Sequence, residues 1–444
     1  MHPTSLPSDP GATGATGATG AATSDREPHR ILAVRLDNLG DVVLLTPALR
    51  ALRARHPDAH LALLASATGA RLAPLLPWVD EVFVLDALWQ QLSPDGADWY
   101  GDIAAISRLR QARFDTAFIF TSWAQSALPP AYFCHLAGIP VRVGESKEFG
   151  GATLTTAVAP GPDEEHQALR NLRLVAAAGV PAQGDQLELE VPLPAAYSAQ
   201  RLLREAGGDP LRPYVVVAPG ASARSRRWPA ERFGEVVSGL RRLGLASVIV
   251  GGANDHDLAA TVLAASRQSV TSSPGSVSAA GGDLPVATAD LSGRTSVPEL
   301  AALVAGAALV VTNNSGPMHL AEAFGRPMVV AFAGTELESQ WAPRSAPARL
   351  LRRPTSCHPC YGFDCPFDLA CLDITADHVL AAAADLLQPA PPIALPAATA
   401  LPAATALPAA TALPAGTALP AATALPAAGG QGTGDLPALA AGAG

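Results

Sequence analysis

The chain has 444 residues, enough for two domains with sizeable cores. Its formal net charge of −9 at pH 7 argues against broad binding to nucleic acid. An uninterrupted apolar run of about 18 residues is absent from the sequence, so we expect no membrane-spanning helix. We also expect a cytoplasmic protein, because the first residues lack a basic segment followed by an apolar core.

The two ends of the chain differ in composition from its middle. Residues 1–28 carry Gly-Ala-Thr repeats, and residues 389–444 repeat Ala-Leu-Pro-Ala-Ala-Thr. Proline in every repeat prevents a continuous helix, and the tails offer few large apolar side chains for burial. We therefore predict that both tails are disordered, either as compositional relics without a role or as segments that recruit partners.

Apolar runs alternate with helical patterns from residue 29 to about residue 195. The predicted strands are 30–36, 60–65, 81–85, 114–120 and 141–144. A turn at 37–41 and a helix at 42–56, with Pro47 early in it, follow the first strand. Strands that alternate with helices indicate a parallel sheet covered on both faces, so residues 29–195 are predicted to form one doubly wound α/β domain.

A second domain of the same class is predicted for residues 196–388. Its predicted strands are 214–218, 246–251, 308–312 and 327–332. Its predicted helices are 197–206, 230–243, 255–266, 297–305, 318–324 and 376–387. Ser296 followed by Glu299 forms a capping-box pattern that predicts the start of one helix. Residues 268–283, rich in Ser and Gly, predict a surface insertion.

Polar turns follow strands in both predicted domains. They contain Gly40-Asp41, residues 219–227 and residues 313–319. Ligands bind doubly wound sheets outside the carboxyl ends of the strands. We therefore expect these three turns to face a common cleft.

The last of these turns has the features of an anion site. Asn314 or Ser315 can cap the helix that follows, Gly316 allows close approach of a ligand, and His319 lies on the first helical turn. The start of a helix attracts phosphate. The alternatives are an ordinary strand-to-helix connection and a histidine that is packed or faces solvent.

Arg226 and Arg227 lie in the second turn, where a guanidinium can bind a pyrophosphate. Ser222 or Ser225 can add a hydroxyl donor, and Asp255 can accept a hydrogen bond from a ribose hydroxyl. Solvated surface arginines and a carboxylate that caps its helix are the competing interpretations. Asp41, in the first turn, is a candidate general base, or else an acid that stabilises the helix dipole.

Four of the five cysteines fall within residues 357–371, at Cys357, Cys360, Cys365 and Cys371. Four thiolates in one loop suffice for a tetrahedral metal site, with structural Zn or Fe as the candidates. The spacing departs from the commonest zinc pattern, so disulfides and free thiols remain alternatives.

Four blocks of sequence resemble glycosyltransferase family 9, the ADP-heptose:lipopolysaccharide heptosyltransferases and their relatives. They are residues 31–50 (ILAVRLDNLGDVVLLTPALR), 218–222 (APGAS) with 226–233 (RRWPAERF), 291–296 (LSGRTS) and 311–321 (VTNNSGPMHLA). The resemblance covers residues 29–388. It implies a GT-B fold of two Rossmann-like domains, with the acceptor on residues 29–195 and the nucleotide-sugar donor on residues 196–388.

The resemblance also implies an inverting transfer that requires no cofactor or catalytic metal. The implied partners are a nucleotide-diphosphate sugar, ADP-heptose first among them, and a glycan, glycolipid or protein acceptor. A lipid-linked acceptor would bring the protein to the inner face of the membrane as a peripheral protein.

Matched by motif, Asp41 corresponds to the family's proposed base, and Arg226 to a basic residue, usually lysine, that holds the donor diphosphate. Asp255 falls near an acid that contacts the donor nucleoside, and His319 matches a histidine at the donor. Asn314 replaces an acid thought to touch the donor sugar, which puts the identity of that sugar in doubt. The cysteines resemble a cluster that binds metal in some relatives.

Two other functions are compatible with the same sequence. One is a catalytically silent nucleotide-sugar-binding protein that uses its tails to recruit partners. The other is a related nucleotide-sugar epimerase. The intact Gly40-Asp41 pair and Arg226 favour the transferase.

Overall fold

Parallel strands form the framework of the protein. The computed structural model describes residues 28–91, 98–271 and 286–388, and within these ranges the strands make two six-stranded sheets. The strands are β1 (Arg30–Arg35), β2 (His60–Ala65), β3 (Glu81–Val84), β4 (Thr116–Ile119), β5 (Val141–Glu145), β6 (Thr156–Val158), β7 (Tyr214–Ala218), β8 (Ala246–Ile249), β9 (Thr288–Asp290), β10 (Leu309–Asn313), β11 (Met328–Ala331) and β12 (Ala348–Leu351). The helices are α1 (Leu39–Val43), α2 (Thr46–Arg55), α3 (Ala67–Ala70), α4 (Trp99–Ala112), α5 (Leu128–Leu136), α6 (Gln167–Ala177), α7 (Leu193–Glu205), α8 (Ala230–Arg242), α9 (His256–Thr271), α10 (Val297–Gly306), α11 (Gly316–Ala323), α12 (Glu338–Trp341) and α13 (Ala376–Leu387).

Both sheets have the same strand order. The first runs β3-β2-β1-β4-β5-β6 and the second β9-β8-β7-β10-β11-β12, and every neighbouring pair is parallel. The predicted pair of doubly wound α/β sheets is therefore confirmed. In such sheets the ligand crevice lies where the strand order reverses, between β1 and β4 and between β7 and β10. The connections that follow these four strands position the candidate site.

The central strands are apolar on both faces because helices cover both sides of each sheet. Ile31 and Ala33 of β1 pack into one apolar cluster, whereas Leu32 and Val34 pack into another. The first cluster also contains Val216 of β7 and other side chains of the second sheet. Full burial of one such large side chain stabilises the fold by roughly 1.5–3 kcal/mol.

The helix predicted at residues 42–56 is instead two helices, α1 and α2. The break comes at Leu44 and Leu45, and Pro47, which has no N–H, lies in the first turn of α2. Helix α1 begins at Leu39, three residues before the predicted start. As a consequence, Asp41 lies within a helix rather than in the turn before it.

Sequence periodicity was least reliable at the sheet edges and around α9. Helix α9 continues through Thr271, so the predicted insertion was wrong for residues 268–271, and its remainder from 272 to 283 lies outside the described residues. The edge strands β6, β9 and β12 and the short helix α12 were not predicted. Each has only three or four residues, too few for a clear pattern.

The predicted tails, 1–28 and 389–444, lie outside the described residues except for residue 28. The division into residues 29–195 and 196–388 stays a prediction, and its boundary falls inside α7. Among the helices of the described ranges, none is both long enough and apolar enough to cross a bilayer.

Candidate active site

Asp41 lies in the first turn of α1, directly after β1. Its Oδ2 accepts a hydrogen bond from the backbone N–H of Asn38 at 3.0 Å, which closes a capping box. Asp41 is thus a first-turn acid, as the alternative interpretation held, and it also caps the helix. One lone pair on that oxygen is committed to the helix start, and this contact fixes the direction of the carboxylate.

A buried arginine holds the other oxygen of Asp41. Nη2 of Arg35 donates to Oδ1 of Asp41 and to Oγ of Ser122, each at 2.8 Å, and its side chain is fully buried. Its Nε also lies 3.0 Å from Oδ2 of Asp37. Burial raises the pKa of Asp37, with Arg35 acting in the opposite sense and Asp41 adding to the increase. Sequence analysis missed Arg35 and Asp37, although a charged residue at the end of an apolar strand requires a partner.

His319 faces α1 from the second sheet. It lies on α11, which follows β10, and is 5% exposed. A β-carbon added to Gly40 would lie 2.7 Å from Cδ2 of its ring. Burial lowers the pKa of His319 to about 4, opposed by Asp41 and reinforced by Arg226. His319 is therefore neutral at pH 7, and its Nδ1 has no hydrogen-bond partner among the described residues.

The start of α11 also faces α1. Ser315 occupies the N-cap position but makes no side-chain capping bond to the helix. A β-carbon on Gly316 would lie 3.1 Å from Cδ2 of Leu39. The first N–H groups of a helix lack partners within it, so this end can attract an anion. The predicted convergence of the turns after β1 and β10 is present in the structure.

Arg226 forms an ion pair that sequence analysis did not anticipate. It lies in the 3-10 turn Arg224–Arg226 after β7, and its Nη2 donates to Oε1 of Glu336 at 2.7 Å. The side chains are 24% and 14% exposed, so Arg226 is not a solvated surface arginine. Glu336 follows β11, in a segment whose sequence has no recognisable motif.

Asn314 connects to the same carboxylate. Its Oδ1 accepts from the backbone N–H of Ala333 at 3.2 Å, and its Nδ2 lies 3.4 Å from Oε2 of Glu336. Position 314 is neutral, but a carboxylate from elsewhere in the chain lies beside it. The neighbouring Asn313 joins the turns after β7 and β10 by donating to the carbonyl of Pro219 at 2.8 Å.

Asp255 lies at the same edge of the second sheet, at the end of the 3-10 turn Ala253–Asp255 after β8. Its Oδ2 accepts from the backbone N–H of Gly252 at 2.8 Å, so it caps the turn, as the competing interpretation held. A β-carbon on Gly220 would lie 2.7 Å from that carboxylate, which places Asp255 beside the turn after β7. Ser222 is exposed on that turn. Ser225 instead is buried and donates to the carbonyl of Gly362 at 2.5 Å.

The four clustered cysteines line one pocket, and all four are free thiols. Within residues 28–91, 98–271 and 286–388, no group of three or more His, Cys, Asp or Glu side chains is arranged to hold a metal ion. The predicted tetrathiolate site is therefore not preassembled. Burial raises the pKa of Cys371, whose Sγ accepts from the backbone N–H of Gly334 at 3.3 Å.

The cysteine loop, residues 357–371, contacts segments that follow strands of both sheets. Phe363 accepts a hydrogen bond from the N–H of Ser225 at 3.0 Å, and the N–H of Tyr361 donates to the carbonyl of Thr335 at 2.8 Å. The Tyr361 ring stacks on Trp123, which follows β4, with centroids 5.6 Å apart. The loop thus braces the two segments that carry Arg226 and Glu336.

The sequence profile of glycosyltransferase family 9 (heptosyltransferase) matches residues 103–370, more than half of the chain. The chain belongs to glycosyltransferase family 9. The family-9 chain is thus a glycosyltransferase, as its sequence predicted.

Named relatives agree with this assignment. Lipopolysaccharide heptosyltransferase 2 of Escherichia coli is 26% identical over 362 residues, covering 79% of this chain and 96% of the relative. Lipopolysaccharide heptosyltransferase 2 of Salmonella typhimurium is 27% identical over 362 residues, covering 79% of this chain and 96% of the relative.

Solved structures confirm the GT-B fold of the family-9 chain. The E. coli ADP-heptose lipopolysaccharide heptosyltransferase II has a TM-score of 0.62 and 24% identity, covering 81% of this chain and 98% of that one. A family-9 glycosyltransferase from Veillonella parvula has a TM-score of 0.65 and 22% identity, covering 81% and 97%.

Proposed function

We propose that this glycosyltransferase moves a heptose from ADP-heptose to a hydroxyl of a cell-surface glycan, with inversion and without a catalytic metal. The contact of Gly40 with His319 carries the proposal, because it brings the segment of Asp41 against the start of α11. ADP-heptose is favoured by the names of similar proteins. One is an ADP-heptose heptosyltransferase, and an E. coli heptosyltransferase of the same fold was solved with ADP and with ADP-2-deoxy-2-fluoro heptose.

The donor lies on the second sheet in this proposal. Arg226 and the N–H groups at Ser315 and Gly316 bind the diphosphate, and Ser222 adds a hydroxyl from the neighbouring turn. Asp255 accepts from the ribose. Support comes from the common position of these residues at the carboxyl edge of β7, β8 and β10, where nucleotides bind such sheets.

Asn314 and His319 complete the proposed donor site. The neutral imidazole of His319 can donate or accept through its unpartnered Nδ1, and it adds no charge next to the reacting sugar. The Asn314 amide already contacts Ala333 and Glu336, so it contacts the sugar through its remaining hydrogen-bonding capacity.

Asp41 is the proposed general base. Each of its oxygens accepts one hydrogen bond, from Arg35 and from Asn38, which leaves lone pairs for the proton of the acceptor hydroxyl. The oxygen then forms a bond to the anomeric carbon from the face opposite the nucleotide, and the bond to the diphosphate breaks. Arg226 and the helix start stabilise the departing charge.

The acceptor is a lipid-linked core sugar in this proposal, because several similar proteins are named lipopolysaccharide heptosyltransferases. Such an acceptor would place the protein in the cytoplasm, at the inner face of the membrane.

A structural Zn or Fe bound by Cys357, Cys360, Cys365 and Cys371 requires these thiols to converge further, and elemental analysis of purified protein tests for the metal.

The deciding experiment measures transfer from ADP-heptose to a panel of lipid-linked core acceptors, with EDTA present. We expect Asp41→Asn to lower kcat by about 10²- to 10⁴-fold while the affinity for ADP changes little. The anomeric configuration of the product, read by NMR, tests inversion. Equal turnover by the variant would remove Asp41 from its role, and loss of activity in EDTA that added metal restores would contradict the metal-independent mechanism.

A further inference from the structure

Glu336 has no part in the function proposed above, yet it contacts two of the residues proposed to bind the donor. One oxygen accepts from Arg226, and the other lies within reach of the Asn314 amide. We propose that Glu336 is a positioning residue whose carboxylate occupies the place of the donor diphosphate on Arg226 until the donor displaces it. This inference rests on the proposed role of Arg226.

Glu336 lies under the influence of Arg226 and of a second carboxylate, that of Asp41. Burial raises its pKa and Asp41 raises it further, whereas Arg226 and Asn314 lower it. The carboxylate of Asp41, which is paired with Arg35, thus adds its negative charge to the surroundings of the largely buried Arg226–Glu336 pair. Such an arrangement is poorly suited to stabilising a fold, and perturbed groups of this kind cluster at functional sites.

Anchoring of the loop does not explain the ion pair. The backbone on its N-terminal side is already fixed, since the N–H of Gly334 donates to Sγ of Cys371 at 3.3 Å and its carbonyl accepts from the N–H of Cys360 at 3.1 Å. Glu338, two residues further along, offers a useful contrast. It pairs with Arg352 at 2.6 Å, and its side chain is 42% exposed, as in ordinary surface ion pairs.

Arg226 is incompletely satisfied by Glu336. Only its Nη2 donates to the carboxylate, and its buried Nε has no hydrogen-bond partner in the described part of the chain. A guanidinium prefers two parallel hydrogen bonds to an anion. A diphosphate offers more oxygens than Glu336 uses, and the two anions repel each other if both remain at Arg226.

Competition between Glu336 and the diphosphate for Arg226 predicts the direction in which ADP affinity changes when Glu336 is replaced. Removal of the Glu336 charge should tighten the binding of a nucleoside diphosphate, whereas loss of a supporting residue would weaken it. The experiment is calorimetry of ADP and of inorganic pyrophosphate with the full chain. It compares the wild type with Glu336→Gln, with Glu338→Gln as the matched control, and with Arg226→Ala. Thermal unfolding of each variant checks the fold.

We expect Glu336→Gln to lower the dissociation constant for ADP by about 3- to 10-fold, Glu338→Gln to leave it unchanged and Arg226→Ala to raise it by at least about 10-fold. The advantage of Glu336→Gln over the wild type should shrink as the pH falls and Glu336 becomes protonated. Donor KM should fall in this variant without a matching rise in kcat.

Unchanged or weaker ADP binding by Glu336→Gln, together with weaker binding by Arg226→Ala, would overturn the inference and leave the proposed donor site standing. If the wild type binds neither ADP nor pyrophosphate, or binds them as tightly without Arg226, the proposed donor site and the inference both fail.

Discussion

Gly40 packs against the imidazole of His319 so closely that a β-carbon at position 40 would lie 2.7 Å from Cδ2 of the ring. Gly40 belongs to α1 after β1, and His319 to α11 after β10. This contact sets the distance between the helix that carries the proposed base and the helix proposed to bind the donor.

Gly40→Ala should therefore push the two helices apart. Both the ring and its surroundings are buried, so we expect a loss of about 1–3 kcal/mol in the free energy of unfolding. Transfer activity should fall by more than this stability change explains, because the proposed base and the proposed donor site separate. Denaturant unfolding and single-turnover kinetics measure the two effects.

A double-mutant cycle tests the cause of this change. His319→Ala removes the ring that would clash with the added methyl group of Gly40→Ala. The free energy of unfolding should therefore fall by less in the double variant than the two single-variant losses add up to. Strict additivity would show that the contact with His319 is not the source of the strain.

Arg35→Met should destabilise the protein strongly. The arginine is fully buried between Asp37 and Asp41, and its removal leaves two carboxylates without their common cation. Loss of one partner of a buried ion pair typically costs about 3–5 kcal/mol. Urea unfolding of Arg35→Met, and of the same change combined with Asp37→Asn, measures the effect. We expect the double variant to regain part of the lost free energy of unfolding. If it regains nothing, repulsion between the two carboxylates is unimportant.

His319 should make stability depend on pH. Its pKa in the folded protein is about 4, below the ordinary value of 6.5, so the unfolded chain binds more protons between these values. Stability is therefore lost as the pH falls from 6.5 toward 4, by about 3 kcal/mol from this group. Unfolding measured across this range should show a shallower slope for His319→Gln. The exposed His135→Gln serves as a control, and identical slopes for His319→Gln and the wild type would refute the assignment.

The five cysteines should differ in reactivity. Burial raises the pKa of Cys134 to about 12, and Cys371 is also buried, whereas Cys360 is exposed. Thiolates are the reactive form, so Cys360 should alkylate first and Cys134 only on unfolding. Mass spectrometry of protein treated with iodoacetamide reads each site. Protection of Cys357, Cys360, Cys365 and Cys371 together, reversed by a chelator, would instead reveal a bound metal.

The arrangement of the fold was largely predictable because the central strands are buried on both faces. Residues 60–65 and 214–218 were predicted with their observed bounds, as was helix α13. The three-residue edge strands β6 and β9 offered no such signal. The break between α1 and α2 was missed because Leu44 and Leu45 keep the helical pattern of apolar residues across it.

Within the candidate site, the residues that could be predicted are those in recognisable sequence motifs. Asp41, Asn314 and His319 belong to polar stretches of sequence that directly follow strands, and such stretches are where ligands bind in doubly wound sheets. Glu336 could not be predicted from the sequence, because only folding brings it to Arg226, which lies 110 residues away in the chain. The roles of these residues remain predictions, since the structure establishes their positions and contacts alone.

Because the two sheets have the same strand order, their connections can be compared position by position. The connection after the first strand carries Asp41 in one sheet and Arg226 in the other, and the connection after the fourth carries Ser122 and Asn314. Equivalent places in two copies of one topology thus hold the proposed proton acceptor in one and the proposed ligand of the diphosphate in the other. An ancestral duplication followed by separate specialisation would produce this division of labour, and exchange of loops within one copy would alter recognition of one substrate alone.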